Sequence, residues 1–134
     1  MEIAKILGEN MGSRLSISPD GKFLAYAYRD SVPVPATRLA IISVEGGSPK
    51  KVLNAPGVIS GLLWSPNGNS VQYSFSRNGA FNILDQPISG GEPRQLTKFD
   101  CGIVYDFHWS HDGKRLLMTR GEATSDAALL SNLR

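Results

Sequence analysis

Two histidines and a cysteine near the carboxyl end are the residues whose types most directly suggest chemistry. His108 and His111 are three positions apart, and Cys101 precedes them. His and Cys are common zinc ligands, but a spacing of three does not place two strand residues on the same face, and His111 falls in a predicted hairpin turn. We therefore predict no metal site, a half-buried strand position for His108 and no catalytic role for the Cys101 thiol.

Other catalytic motifs are absent from the sequence. It contains no Gly-x-Ser-x-Gly elbow that would present a serine nucleophile. The pairs Gly46-Gly47 and Gly90-Gly91 are each followed by a predicted short strand, whereas a phosphate-binding loop is followed by a helix. The sequence therefore predicts a non-catalytic chain that needs no cofactor.

Composition narrows the class of protein further. The chain has 134 residues, of which 41% are hydrophobic and 19% charged, as in an ordinary folded domain. Its formal net charge of +2, without a Lys/Arg block, argues against nucleic acid as a partner. No signal-peptide core and no apolar run near the ~20 residues of a membrane span are present, and the single cysteine leaves the compartment undecided.

One short phrase occurs three times and organises the chain. Each copy separates two apolar runs, and the copies are Ser18-Pro19-Asp20-Gly21, Ser65-Pro66-Asn67-Gly68 and Ser110-His111-Asp112-Gly113. Pro, Asp and Asn favour a type I turn, and Gly accepts the left-handed conformation that returns the chain as a hairpin. Ser65 follows Ser18 by 47 residues and Ser110 follows Ser65 by 45, a period of about 40–50 residues that is typical of four-stranded propeller blades.

The apolar pattern between these turns predicts an all-β chain. We expect about twelve short strands in three four-stranded units, or β-propeller blades, at about 15–53, 60–97 and 104–133. A loop at 8–13 separates the first unit from a spare strand at 1–7, which would complete the last blade. Trp64 and Trp109 end the first strand of their units at equivalent positions, with Ile17 as their counterpart, and this exchange predicts packing between blades rather than ligand stacking.

These motifs resemble a known repeat. The segments 63–68, 82–87 and 90–97, which contain Trp64-Ser65-Pro66-Asn67-Gly68 and Gly90-Gly91, resemble the TolB-like (PD40, WD40-like) propeller repeat. The ending 124–134 is similar to the end of the carboxyl-terminal propeller of bacterial membrane-anchored serine/threonine kinases. The resemblance implies half of a six-bladed propeller and a sensor role, while the chain itself has no kinase motifs.

The propeller layout also predicts a ligand face. The loops between units and those joining the second and third strands emerge at one edge, opposite the repeated turns. A peptide or protein partner would meet the polar residues of that edge, which are otherwise solvated loop charges: Arg29, Asp30, Arg38, Arg77, Asn78, Lys98, Asp100, Arg120 and Glu122.

Three functions remain open from the sequence. The leading one is a non-catalytic module for protein or peptide binding and assembly, which homodimerises into a six-bladed ring because three blades cannot close one. We expect its two ends to expose apolar faces that include Leu24, Tyr26, Leu116 and Met118, and the strand at 1–7 to pair with the partner chain. The alternatives are an accessory gating propeller of a prolyl-oligopeptidase-like hydrolase, or a designed or excised fragment without activity.

Overall fold

The computed structural model describes residues 11–30, 36–55, 59–122 and 129–133, which form three antiparallel sheets. Sheet 1 contains β1 (Met11–Ile17), β2 (Phe23–Asp30), β3 (Ala36–Ser43) and β4 (Lys51–Ala55) in that spatial order. Sheet 2 contains β5 (Ile59–Trp64), β6 (Ser70–Arg77), β7 (Ala80–Pro87) and β8 (Arg94–Gln95). Sheet 3 contains β9 (Ile103–Trp109), β10 (Leu116–Gly121) and β11 (Leu129–Leu133). The predicted all-β class and the division into successive sheets are confirmed.

The predicted layout of residues 1–13 differs in part from the structure. The proposed strand at 1–7, and with it the exchange into a partner, lies outside the described residues. The predicted loop at 8–13 is wrong for residues 11–13, which belong to β1. Met11 pairs with Tyr28, and a register shift between Met11 and Leu15 accommodates a stretch whose sequence lacks regular alternation.

The repeated turns fold as predicted and also explain their serine. Gly21, Gly68 and Gly113 have φ of 74°, 74° and 71°, the left-handed conformation that glycine adopts at little cost. In the first turn the Ser18 hydroxyl donates to Asp20 Oδ1 at 2.6 Å and accepts the amide of Phe23 at 2.9 Å. The same bonds occur in the other two turns. Serine therefore ties the turn carboxylate or amide to the start of the returning strand.

Each sheet packs against the next through opposite faces. We call the face that carries the residue before the turn serine (Ile17, Trp64 or Trp109) the front face, and the other the back face. The front of sheet 2, with Tyr73 and Phe75, packs on Ala27 and Leu39 from the back of sheet 1. The front of sheet 3 packs on Ile83 from the back of sheet 2 through Phe107, Leu116 and Met118. The core is therefore a series of interfaces between sheets.

The two tryptophans lie at these interfaces, which confirms their predicted packing role. Trp64 is buried with Ala25 and Ile41 of sheet 1, and its indole nitrogen donates to the Ser16 carbonyl at 3.0 Å. The Trp109 indole donates to Gln72 Oε1 of sheet 2 at 2.8 Å. Each indole thus hydrogen-bonds to the preceding sheet, which fixes how far one blade turns against the next.

The predicted exposure of the end faces is wrong for three residues. Leu116 and Met118 are each 1% exposed, because they lie on the front of sheet 3 and contact sheet 2. Tyr26 is 8% exposed and belongs to a cluster on the front of sheet 1. The prediction took front-face residues at both ends, whereas an open array of blades ends in a front face at one end and a back face at the other.

Candidate functional site

The nine predicted site residues lie toward one edge of the sheets, opposite the repeated turns. Asp30 pairs with Ala36 at one end of the β2/β3 ladder, and Arg77 pairs with Ala80 at the equivalent end of β6/β7. The nine positions are Arg29, Asp30 and Arg38 in sheet 1, Arg77 and Asn78 at the β6/β7 turn, Lys98 and Asp100 in the loop before β9, and Arg120 and Glu122 at the end of β10. We call this edge the loop edge.

Asn82 of β7 fixes the loop that leads from sheet 2 to sheet 3. Its side-chain oxygen accepts the Thr97 hydroxyl and the Phe99 amide, each at 2.7 Å, and its side-chain nitrogen donates to the Phe99 carbonyl at 3.0 Å. Asn82 and Thr97 are both buried. Because a buried amide is stable only when it is hydrogen-bonded, this cluster holds Lys98 and Asp100 in a defined loop.

Arg120 secures the same loop from the β10 side. Its guanidinium carbon lies 3.3 Å from the centre of the Phe99 ring, and its Nη2 donates to the Cys101 carbonyl at 2.8 Å. Gly102 has φ of 94°, and a Cβ at this position would lie 3.0 Å from the Gly121 carbonyl oxygen. Arg120 was predicted as a ligand-face charge, and in the structure its guanidinium positions the loop.

The Cys101 thiol next to this arginine lies beside acidic groups. It is exposed and lies 3.7 Å from a carboxylate oxygen of Glu122. Desolvation, followed by the charges of Glu122 and Asp100, raises the pKa of the Cys101 thiol. Since the thiolate is the reactive form, this environment favours the protonated thiol.

The remaining predicted residues lie on different elements of the loop edge. Arg29, Arg77 and Lys98 are exposed, and no hydrogen bond or ion pair joins them to one another in the described part of the chain. Arg77 lies over its neighbour Phe75, 5.5 Å from the ring centre. Arg38 donates to Asn54 Oδ1 on β4. The loop edge therefore presents three exposed cations on separate elements, with the Arg120 loop and the exposed carboxyl groups of Asp100 and Glu122 beside them.

A cavity on the first strands of the sheets was not predicted from the sequence. It has a volume of about 200 Å³ and is lined by residues of β1, β5, β6 and β9: Leu15, Ser60, Gly61, Leu62, Ser74, Tyr105, Asp106, Phe107 and His108. This volume is below the ~300–1,000 Å³ of sites for drug-sized ligands. The cavity is therefore smaller than a site for a drug-sized ligand.

The cavity contains serine, histidine and aspartate without the arrangement of a catalytic triad. The Ser60 and Ser74 hydroxyls are 2.5 Å apart and bond to each other. His108 Nε2 lies 3.1 Å from Asp106 Oδ2. A triad requires the histidine to connect the carboxylate to the nucleophile, and the described contacts pair serine with serine and histidine with aspartate. The side chain of His108 is 68% exposed, so its predicted half-buried position is wrong.

Searches of known sequences give partial matches. No family model matches the chain. The uncharacterized peptidase YuxL of Bacillus subtilis is 32% identical over 115 residues, which covers 85% of this chain and 16% of YuxL. An uncharacterized protein of Agrobacterium fabrum is 34% identical over 82 residues, covering 60% of this chain and 27% of that protein. The chain thus spans about a sixth and about a quarter of the curated relatives that it matches.

Solved structures establish the fold. TolB from Acinetobacter baumannii superposes with a TM-score of 0.69 at 18% identity, over 94% of this chain and 31% of TolB. A putative TolB from Agrobacterium tumefaciens gives 0.69 at 25% identity, over 95% and 44% of the two chains. An oligogalacturonate lyase in complex with manganese gives 0.73 at 13% identity, over 97% and 40%. The described residues therefore have the TolB-like β-propeller fold.

Proposed function

We propose that the chain is a non-catalytic module for protein or peptide binding and assembly, and that two copies close a six-bladed ring. The observation that supports assembly most strongly is the distribution of exposed apolar side chains. Leu15, Ile17 and Val52 of sheet 1 and Leu117 of sheet 3 are between 41% and 57% exposed. They lie on the two outermost sheets of the array, which no further sheet of the described residues covers.

Partner binding is proposed at the loop edge and at the cavity on the first strands of the sheets. The exposed cations Arg29 and Arg77 favour a partner with acidic groups, whereas Lys98 lies two residues from the exposed Asp100. The cavity is proposed to accept one side chain of that partner. A kinase-associated sensor role, suggested by the residues at 124–134, is part of this proposal. The fold alone does not select this role, because propellers host many unrelated functions.

A peptide array tests the binding proposal. The labelled wild-type chain should bind a subset of acidic peptides, and the double variant Arg29→Glu, Arg77→Glu should lose that binding, because the charge at the contact is reversed. Asn67→Asp, in a turn at the opposite edge, keeps the turn chemistry and serves as the matched control. If the Asn67 variant lost binding and the double variant retained it, the binding site would lie at the edge of the repeated turns, which would contradict the proposal.

A second candidate function is an accessory propeller segment of a peptidase. It is favoured by the 32% identity to YuxL over 115 residues. The sequence that flanks this segment in its gene discriminates the two: a hydrolase domain downstream favours the peptidase, whereas a kinase domain and a membrane span upstream favour the sensor.

Catalysis by the chain itself is tested with a fluorophosphonate probe, which labels activated serines. We expect no labelling, because Ser60 and Ser74 bond to each other and the described contacts connect neither to His108. Ser60→Ala is the matched control. Labelling of the wild-type chain that disappears in this variant would overturn the non-catalytic assignment.

A further inference from the structure

The two ends of the array differ from its internal interfaces at one repeated position. In sheets 2 and 3 the residue before the turn serine faces the preceding sheet. Trp64 contacts sheet 1, and Trp109 contacts sheet 2. The equivalent residue of sheet 1 is Ile17, because it pairs with Leu24 as Trp64 pairs with Val71 and Trp109 with Leu116. Ile17 is 57% exposed.

The receiving side of the interface is also a repeated position. Trp109 donates to Gln72, which follows Val71, and Trp64 is clustered with Ala25, which follows Leu24. The corresponding residue of sheet 3 follows Leu116 and is Leu117, on its back face. Leu117 is 41% exposed, although its neighbours Leu116 and Met118 are buried.

The chemistry of these positions is matched between sheets 2 and 3, whereas between sheets 1 and 2 the Trp64 indole donates to the Ser16 backbone carbonyl and Ala25 provides only apolar contact. Where the front residue is Trp109, the back residue Gln72 provides a hydrogen-bond acceptor, and Gln72 in turn donates to Asp85 at 2.9 Å. Where the front residue is Ile17, which has no donor, the remaining back residue is Leu117, which has no acceptor. An apolar front residue and an apolar back residue are therefore left at opposite ends of the same chain.

We infer that Ile17 of one chain packs on Leu117 of a second copy, and that Ile17 of the second copy packs on Leu117 of the first, so that two identical contacts close the ring. This inference rests on the proposed assembly and specifies its surfaces. The centre of the front face of sheet 1, with Tyr26, Ala40 and Ile42, is buried. Exposed apolar side chains remain at both margins of this face, with Leu15 and Ile17 on β1 and Val52 on β4. The repeated position of Ile17 assigns the contact with Leu117 to the β1 margin.

Disulfide trapping tests the contact directly. In a Cys101→Ser background, the single variants Ile17→Cys and Leu117→Cys are oxidised separately and as an equimolar mixture. We expect a mixed covalent dimer only in the mixture, since a two-fold ring places the two copies of position 17 in different contacts. Val52→Cys with Leu117→Cys is the matched control, because Val52 is also exposed on sheet 1 but lies on its outer strand, and it should not crosslink.

A charge pair provides a second measurement that does not depend on disulfide geometry. Ile17→Arg and Leu117→Glu should each weaken the dimer by about tenfold or more when pure, because an unpaired charge would be buried against an apolar side chain. Their mixture should dimerise again through one charged and one apolar contact. A dimeric wild type without the mixed disulfide and without this rescue would overturn the inferred surfaces and leave assembly standing, whereas a monomeric wild type would overturn both.

Discussion

Tyr73 shows at the residue scale that the packing between blades is not optimal everywhere. Its side chain is fully buried between sheets 1 and 2, and its hydroxyl has no hydrogen-bond partner among the described residues. A buried hydroxyl without a partner costs about 1–3 kcal/mol. Burial also raises the pKa of Tyr73 to about 12.

We expect Tyr73→Phe to stabilise the chain by about 1 kcal/mol at neutral pH, because it removes the unbonded oxygen and keeps the ring. The wild type should also lose stability above about pH 10, where the unfolded tyrosine ionises and the folded one does not. Urea unfolding at pH 8 and pH 11 measures both effects. Tyr105→Phe, at an exposed position, is the control. A variant less stable than wild type would show that the hydroxyl has a partner.

At the scale of the element, two of the three repeated turns contain a carboxyl group whose pKa depends on the fold. Asp20 and Asp112 each accept a serine hydroxyl and a backbone amide. The serine hydrogen bond, followed by the backbone amide, lowers the pKa of both carboxyl groups. The second turn has Asn67 at the same place, with the same two bonds and no charge. The three turns therefore differ in their response to acid.

A lowered carboxyl pKa contributes stability that is present above the unfolded pKa and is lost as the pH falls through the folded pKa. We expect the wild type to lose stability below about pH 4, and the double variant Asp20→Asn, Asp112→Asn to lose less, since Asn67 shows that the amide fits the turn. Urea midpoints at pH 6 and pH 3 measure the difference. Glu92→Gln removes an exposed carboxyl from another loop and is the control. An equal acid loss in the double variant would contradict the turn assignment.

The elements were predictable where local chemistry dominates. The Ser-x-x-Gly turns and the Asn78-Gly79 turn require left-handed backbone, with φ of 53° at Asn78, and their sequences show it. The cavity was not predictable, because Ser60 and Tyr105 lie where the register of β5 and β9 shifts. Such bulges disrupt the period-two pattern on which a strand prediction depends. The role of Asn82 also depends on a loop 15 to 17 residues away in sequence, and the role of Arg120 depends on the same loop 19 residues away.

At the scale of the whole molecule, the repeat predicts the number of blades but not which faces remain open. Sequence alternation identified Leu116 and Met118 as one face of a strand, and only the packing on sheet 2 shows that this face is buried. The open back face is instead represented by Leu117. The distinction matters because a ring closes only when a front face meets a back face.

Closure by a second copy is the central claim, and the mass of the chain in solution tests it most directly. Size-exclusion chromatography with multi-angle light scattering, run over a range of concentrations, should give twice the chain mass, because six blades lie within the 4–8 of known propellers and three do not. Dissociation on dilution should yield an unstable or aggregating species. A stable, well-folded monomer at all concentrations would contradict the claim.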